Sequence, residues 1–104
     1  MLNPVMNNTK WNELRLAMYA LAPTPAWSTL STSGYNYGPD REWFYHFRSG
    51  GYEDILHVDI QVETSCQREI VRAALRDIHV PGEETAAGFR VFGYLQDGQG
   101  ANYI

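Results

Sequence analysis

Two runs of alternating apolar and polar residues dominate the pattern along this chain. Across Ile55–Val62, the residues Leu56, Val58, Ile60 and Val62 alternate with His57, Asp59 and Gln61. That period of two belongs to a strand with one buried face. Upstream, Trp43, Tyr45 and Phe47 alternate with Phe44, His46 and Arg48 over Glu42–Arg48, and aromatic residues are favoured in strands. Gly50-Gly51 lies in the connection Ser49–Asp54, so the pattern predicts a β-hairpin. Matching the apolar faces sets Phe47 against Leu56, Tyr45 against Val58 and Trp43 against Ile60, or a slip of two residues. A slip of one would bury the polar set. In the first register His46 lies directly across from His57.

Two other stretches follow a helical period. Trp11, Leu14, Met18 and Leu21 form a stripe behind Asn8 or Thr9 as N-cap, and Pro23 and Pro25 end the helix. Thr64-Ser65-Cys66-Gln67 has capping-box spacing, and a second helix to about Ile78 buries Ile70, Val71, Ala74, Leu75 and Ile78. Ala26–Thr32 and Phe89–Leu95 read as further strands, with Gly93 marking a bulge or a close backbone approach. Ser33–Asp40 reads as a loop or wide hairpin, and residues 1–7 as a loose N-terminal lead. The order is α-β-β-β-α-β. This predicts a single α+β domain over residues 1–104, an antiparallel four-stranded sheet with two helices packed on one face.

Composition narrows the function classes. A hydrophobic content of 44% against 19% charged describes a globular chain. The net charge of −4 disfavours nucleic acid, which needs clustered Lys and Arg, and suits a basic protein partner better. One cysteine excludes an internal disulfide, and no Cys/His spacing suggests zinc, so no metal or other cofactor is expected. Neither a signal peptide nor a membrane-length apolar run is present, which predicts a cytoplasmic protein without a membrane role.

The candidate chemistry is that of contact rather than catalysis. The sheet face away from the helices would carry Phe44, Phe92 and Tyr94 among His46, His57, Asp59 and Arg90, a mixture suited to an interface. Tyr35 and Tyr37, followed by Asp40, place two more contact-prone aromatics in the preceding loop. The alternative is a small enzyme or metal-binding protein using His46, His57 and Asp59, but nucleophile and oxyanion donors are lacking. Arg68, Arg72 and Arg76 form a helical ridge beside Glu69 and Asp77, expected to be a solvated face. Cys66 is expected to be a small buried residue rather than a nucleophile.

The segments NNTKW-NELRLAMYAL, EWFYHF-RSGGYEDI and REIVRAALRDIHVPGE resemble a family of small bacterial proteins of unknown function, over nearly all of the chain from Met6 onward. The family has no established activity, so the resemblance assigns no functional residue. Small proteins of this kind resemble the immunity or antitoxin partners of bacterial toxins. The resemblance implies a protein that neutralises a toxin, such as one encoded nearby, by direct binding.

Overall fold

The computed structural model describes residues 1–100 and 102–104. Leu2–Pro4, expected to be loose, instead form strand β1. Asn7 then caps helix α1 (Asn8–Tyr19), its side chain accepting the Lys10 N–H at 2.8 Å. The stripe falls where its period puts it, with Trp11, Leu14 and Met18 buried and Leu21 packed at the margin. Strand β2 (Ala26–Ser31) turns back through a tight hairpin into β3 (Asn36–Asp40). After a segment of turns comes β4 (Ile55–Gln61), then α2 (Ser65–Ile78). Strands β5 (Gly82–Glu84), β6 (Gly88–Phe92) and β7 (Tyr94–Gln96) complete the chain.

The architecture is α+β. The main sheet has five antiparallel strands in the order β3-β2-β4-β6-β5, where four were expected, and β1 pairs with β7 in a separate two-stranded ladder. Trp27 pairs with Ile60 and Thr29 with Val58, while Val58 faces Val91 and Ile60 faces Phe89. Trp27, Val58, Ile60, Phe89 and Val91 share a core with Leu14, Met18, Val71 and Leu75, so both helices cover the same sheet face. Burial of such side chains contributes about 1.5–3 kcal/mol each. An irregularity in the β2–β4 register, Leu30↔His57 followed by Ser31↔Ile55, brings Ile55 into the core and leaves Leu56 half-buried.

The second helix keeps its cap with one adjustment. Thr64 accepts the Gln67 N–H at 3.0 Å, but Gln67 accepts from Glu63 rather than from the cap residue itself. His79 closes the helix in the left-handed conformation, φ 65°. The chain end then folds back. Gly82 donates to the Asn102 carbonyl, Tyr103 stacks on His79 at 4.0 Å, and Ile104 packs against the core.

The strand expected over Glu42–Arg48 is absent, and residues 43–50 form successive turns. The Glu42 carboxylate accepts the backbone N–H groups of Phe44, Tyr45 and His46, which drives the chain into a coil that a ladder cannot use. Trp43 and Phe47 still face the core, with ring centroids 4.7 Å apart, but Tyr45 is exposed rather than buried. The segment lies on the helix side of the sheet. Indole N–H groups anchor it, Trp27 to the Glu42 carbonyl and Trp43 to the Pro25 carbonyl.

Gly93 divides the expected strand Phe89–Leu95 into β6 and β7. A Cβ there would strike the Ile55 carbonyl oxygen, so the residue marks a close backbone approach. No helix among the described residues is long and apolar enough to cross a membrane.

Candidate functional site

The residues singled out from sequence separate into three groups. The first gathers at the open end of the β2–β3 hairpin. Tyr37 and Asp40 project from β3 on the core side, because Tyr37 pairs with Thr29 and Asp40 with Trp27. The turn segment delivers His46 to the same place. Tyr37 Oη donates to Asp40 Oδ2 at 2.7 Å, and His46 Nδ1 lies 2.8 Å from the same oxygen. The Glu42 N–H donates to Asp40 Oδ1 at 2.8 Å.

Partial burial works against the ionised form of Asp40, but the donors from Tyr37, Glu42 and His46 outweigh it and hold the carboxyl at about 2. An ionised carboxylate has no proton to give, so His46 Nδ1 is the donor in that contact. The Tyr37 hydroxyl is shifted upward in turn, chiefly by its hydrogen bond to Asp40.

Beside this network opens a cleft of about 360 Å³. Trp27, Tyr35, Tyr37 and Phe47 supply its aromatic walls, and Asp54 its one carboxylate. Tyr37 stacks on Trp27 with centroids 5.3 Å apart, and Tyr35 is 67% exposed. Gly50 and Gly51, at φ 82° and 83°, turn the chain at the mouth and add no side chain to it. Trp27, Phe47 and Asp54 were not among the residues expected from sequence. The Gly-Gly pair after an aromatic run was the available signal, and it was consumed by the hairpin reading.

The second group surrounds Phe44. Its ring meets Tyr19 at 5.2 Å and Tyr45 at 4.9 Å, with the guanidinium groups of Arg15 and Arg48 over it. Arg15 is 6% exposed and donates to the Phe44 carbonyl at 2.6 Å, while its Nε has no partner.

The third group occupies the sheet face away from the helices. Arg90 on β6 binds both oxygens of Asp59 on β4, at 2.7 and 3.1 Å. His57 pairs in register with Phe92, and its Nδ1 is buried without a hydrogen-bond partner, 3.9 Å from Asp59 Oδ1. Burial first, and Arg90 second, lower the His57 pKa, favouring the neutral ring. Tyr94, expected on this face, instead stands on β7 outside the five-stranded sheet, where it donates its hydroxyl to the Glu53 carbonyl at 2.6 Å.

His46 and His57 therefore do not face each other, and the set of His46, His57 and Asp59 is not assembled. No group of three or more His, Cys, Asp or Glu side chains able to hold a metal ion occurs among the described residues. What the first group offers is a histidine fixed by a carboxylate, which orients a ring for proton transfer or hydrogen bonding. The nearby Ser31 hydroxyl is engaged with Ser33 Oγ and the Tyr35 N–H.

Two further expectations change. Arg68 and Arg72 are not a solvated ridge: both pair with Glu84, and Arg68 also donates to carbonyls of the 85–88 turn. Cys66 is exposed rather than buried.

No curated protein and no solved structure is similar to the chain. A family model does match it, over residues 1–98, and the chain belongs to DUF6678, a family of unknown function.

Proposed function

We propose that this chain is a small protein-binding module that acts in the cytoplasm without catalysing a reaction, neutralising a toxin by occupying part of its surface. The observation that carries the binding reading is the cleft between β3 and the turn segment. There exposed Tyr35 stands beside a Tyr37 ring already fixed by Trp27 beneath it and by Asp40 at its hydroxyl. Tyrosine supplies large contact area at low entropic cost, and groups fixed before binding lose least on association. The neutralising role is supported by the small size of the chain and its acidic balance of −4, which suits a basic partner.

Co-expression with the protein encoded next to this chain tests the proposal. The neighbour alone should arrest growth, and the wild-type chain should restore it. Tyr35→Ala should restore it poorly while the variant remains folded. A neighbour that is harmless alone, or that kills equally with and without the chain, ends the neutraliser reading.

A further inference from the structure

We infer that the cleft is a receptor for one cationic side chain of the partner, with an arginine guanidinium as its best occupant. The inference rests on the binding reading above and names the chemistry of the partner at that site. At about 360 Å³ the cleft lies at the small end of ligand pockets, which start near 300 Å³. It therefore suits one long side chain rather than a packed secondary-structure element. Its walls are aromatic, and among the described residues its charged or titratable polar lining is the Asp54 carboxylate and the His46 ring, with neither Lys nor Arg. Aromatic faces with an adjacent carboxylate attract a cation through both the ring quadrupole and the full charge.

The distribution of charge points the same way. Asp40 is ionised at the edge of the site, pinned by Tyr37 and His46. The basic residues of the chain are largely engaged elsewhere. Arg15 is buried against Phe44, Arg41 is paired with Glu63, and Lys10 donates to the His79 carbonyl. Arg68 and Arg72 hold Glu84, and Arg90 holds Asp59. Among the described residues no lysine or arginine reaches the cleft, and the one basic ring that lines it, His46, is turned to Asp40 at 2.8 Å. Arg48, the nearest in sequence, lies over the rings of Phe44 and Tyr45 instead. An arginine plane can stack on Tyr35 or Tyr37 and present its N–H fork to Asp54, whereas a neutral side chain of the same shape would leave that carboxylate unanswered.

The test uses the full chain, isotope-labelled, titrated with a capped Gly-Arg-Gly peptide and with its citrulline counterpart, which has nearly the same shape but no charge. The arginine peptide should move the amide signals of Tyr35, Tyr37, Gly50 and Gly51 along a saturable millimolar curve, and the citrulline peptide should not. Tyr35→Ala combined with Asp54→Asn should weaken arginine binding roughly tenfold, with the thermal midpoint checking that the fold is kept. Equal shifts from both peptides, or no saturable shift at the cleft, would overturn the inference. The two readings fail separately. If toxin neutralisation is lost in Tyr35→Ala but citrulline matches arginine, binding stands and the cationic occupant falls. If neutralisation survives Tyr35→Ala, the cleft is not the toxin contact, whatever the peptides show.

Discussion

The half-exposed ring of Tyr37 lies against the buried ring of Trp27, centroids 5.3 Å apart and inclined by 30°. A contact residue is thereby supported from below by the core. Its hydroxyl is separately committed to Asp40 at 2.7 Å. Tyr37→Phe keeps the stack and removes only the donor. The Asp40 carboxyl, now at about 2, should then titrate closer to the ordinary value of about 3.9. Side-chain NMR against pH reads this directly, and an unmoved titration would show that Glu42 and His46 alone hold the anion.

Stability should fall with acid in two stages. The folded-state pKa of His57 is lowered by burial and by Arg90, with Asp59 opposing. The unfolded chain therefore takes up that proton first, and the contribution is full above about 6.5 and lost as pH falls below it. Asp40 and Glu84, both held at about 2, and Glu42, also lowered, keep their contributions above about 4 and lose them as pH falls toward 2. Urea midpoints measured from pH 8 to 3 should show both declines. His57→Gln should remove the upper one and leave the lower.

Ile60 and Tyr45 separate the observed fold from the strand reading of Glu42–Arg48. Ile60 is buried in the core, so Ile60→Ala should cost about 2–5 kcal/mol in urea melts. Tyr45 is 62% exposed, so Tyr45→Ala should stay within about 0.5 kcal/mol. A core-sized loss at Tyr45 would restore the hairpin.

At Gly88 the sheet leaves no room for a methyl group. A Cβ would run into the Ile60 carbonyl oxygen of the neighbouring strand. Gly88→Ala should lower stability by about 1–3 kcal/mol or more, since backbone atoms must yield. Gly100→Ala, where nothing stands within 4 Å, is the matched control and should be neutral in the same melts.

How far the sequence is legible is clearest in the turn segment. Trp43 and Phe47 are four residues apart, a spacing that satisfies a strand's period of two and a helical turn alike. Tyr45 distinguishes the two, and its side chain points to water. Alternation was the only visible criterion, whereas the deciding interaction was the reach of Glu42 to three N–H groups ahead of it. The helices were readable because Trp11, Leu14 and Met18, like Val71 and Leu75, bury on one stripe, although the first cap is Asn7 rather than Asn8 or Thr9 and Ile70 is exposed rather than buried. Strands β1 and β5 carry the sequences LNP and GEE, which no propensity favours; β1 exists through pairing with distant β7, and β5 through its short hairpin with β6. In the site, Tyr37 and Asp40 were legible as residue types. Their junction with His46 depended on the segment that was misread.

The ladder of β1 with β7 joins the beginning of the chain to its last strand through three residue pairs, outside the five-stranded sheet. A two-stranded ladder of that length is marginal alone, so it should be the first part of the molecule to breathe. Amide protons of Asn3 and Leu95 should exchange with solvent well before those of Val58 and Val91 in the sheet interior. The Val5 N–H bond to the Gly93 carbonyl lies just inside this ladder, so opening that spreads past it would loosen the chain leading into α1. A protease acting on native protein would then find its earliest cut near the amino terminus, with the Tyr35–Asp40 hairpin still intact.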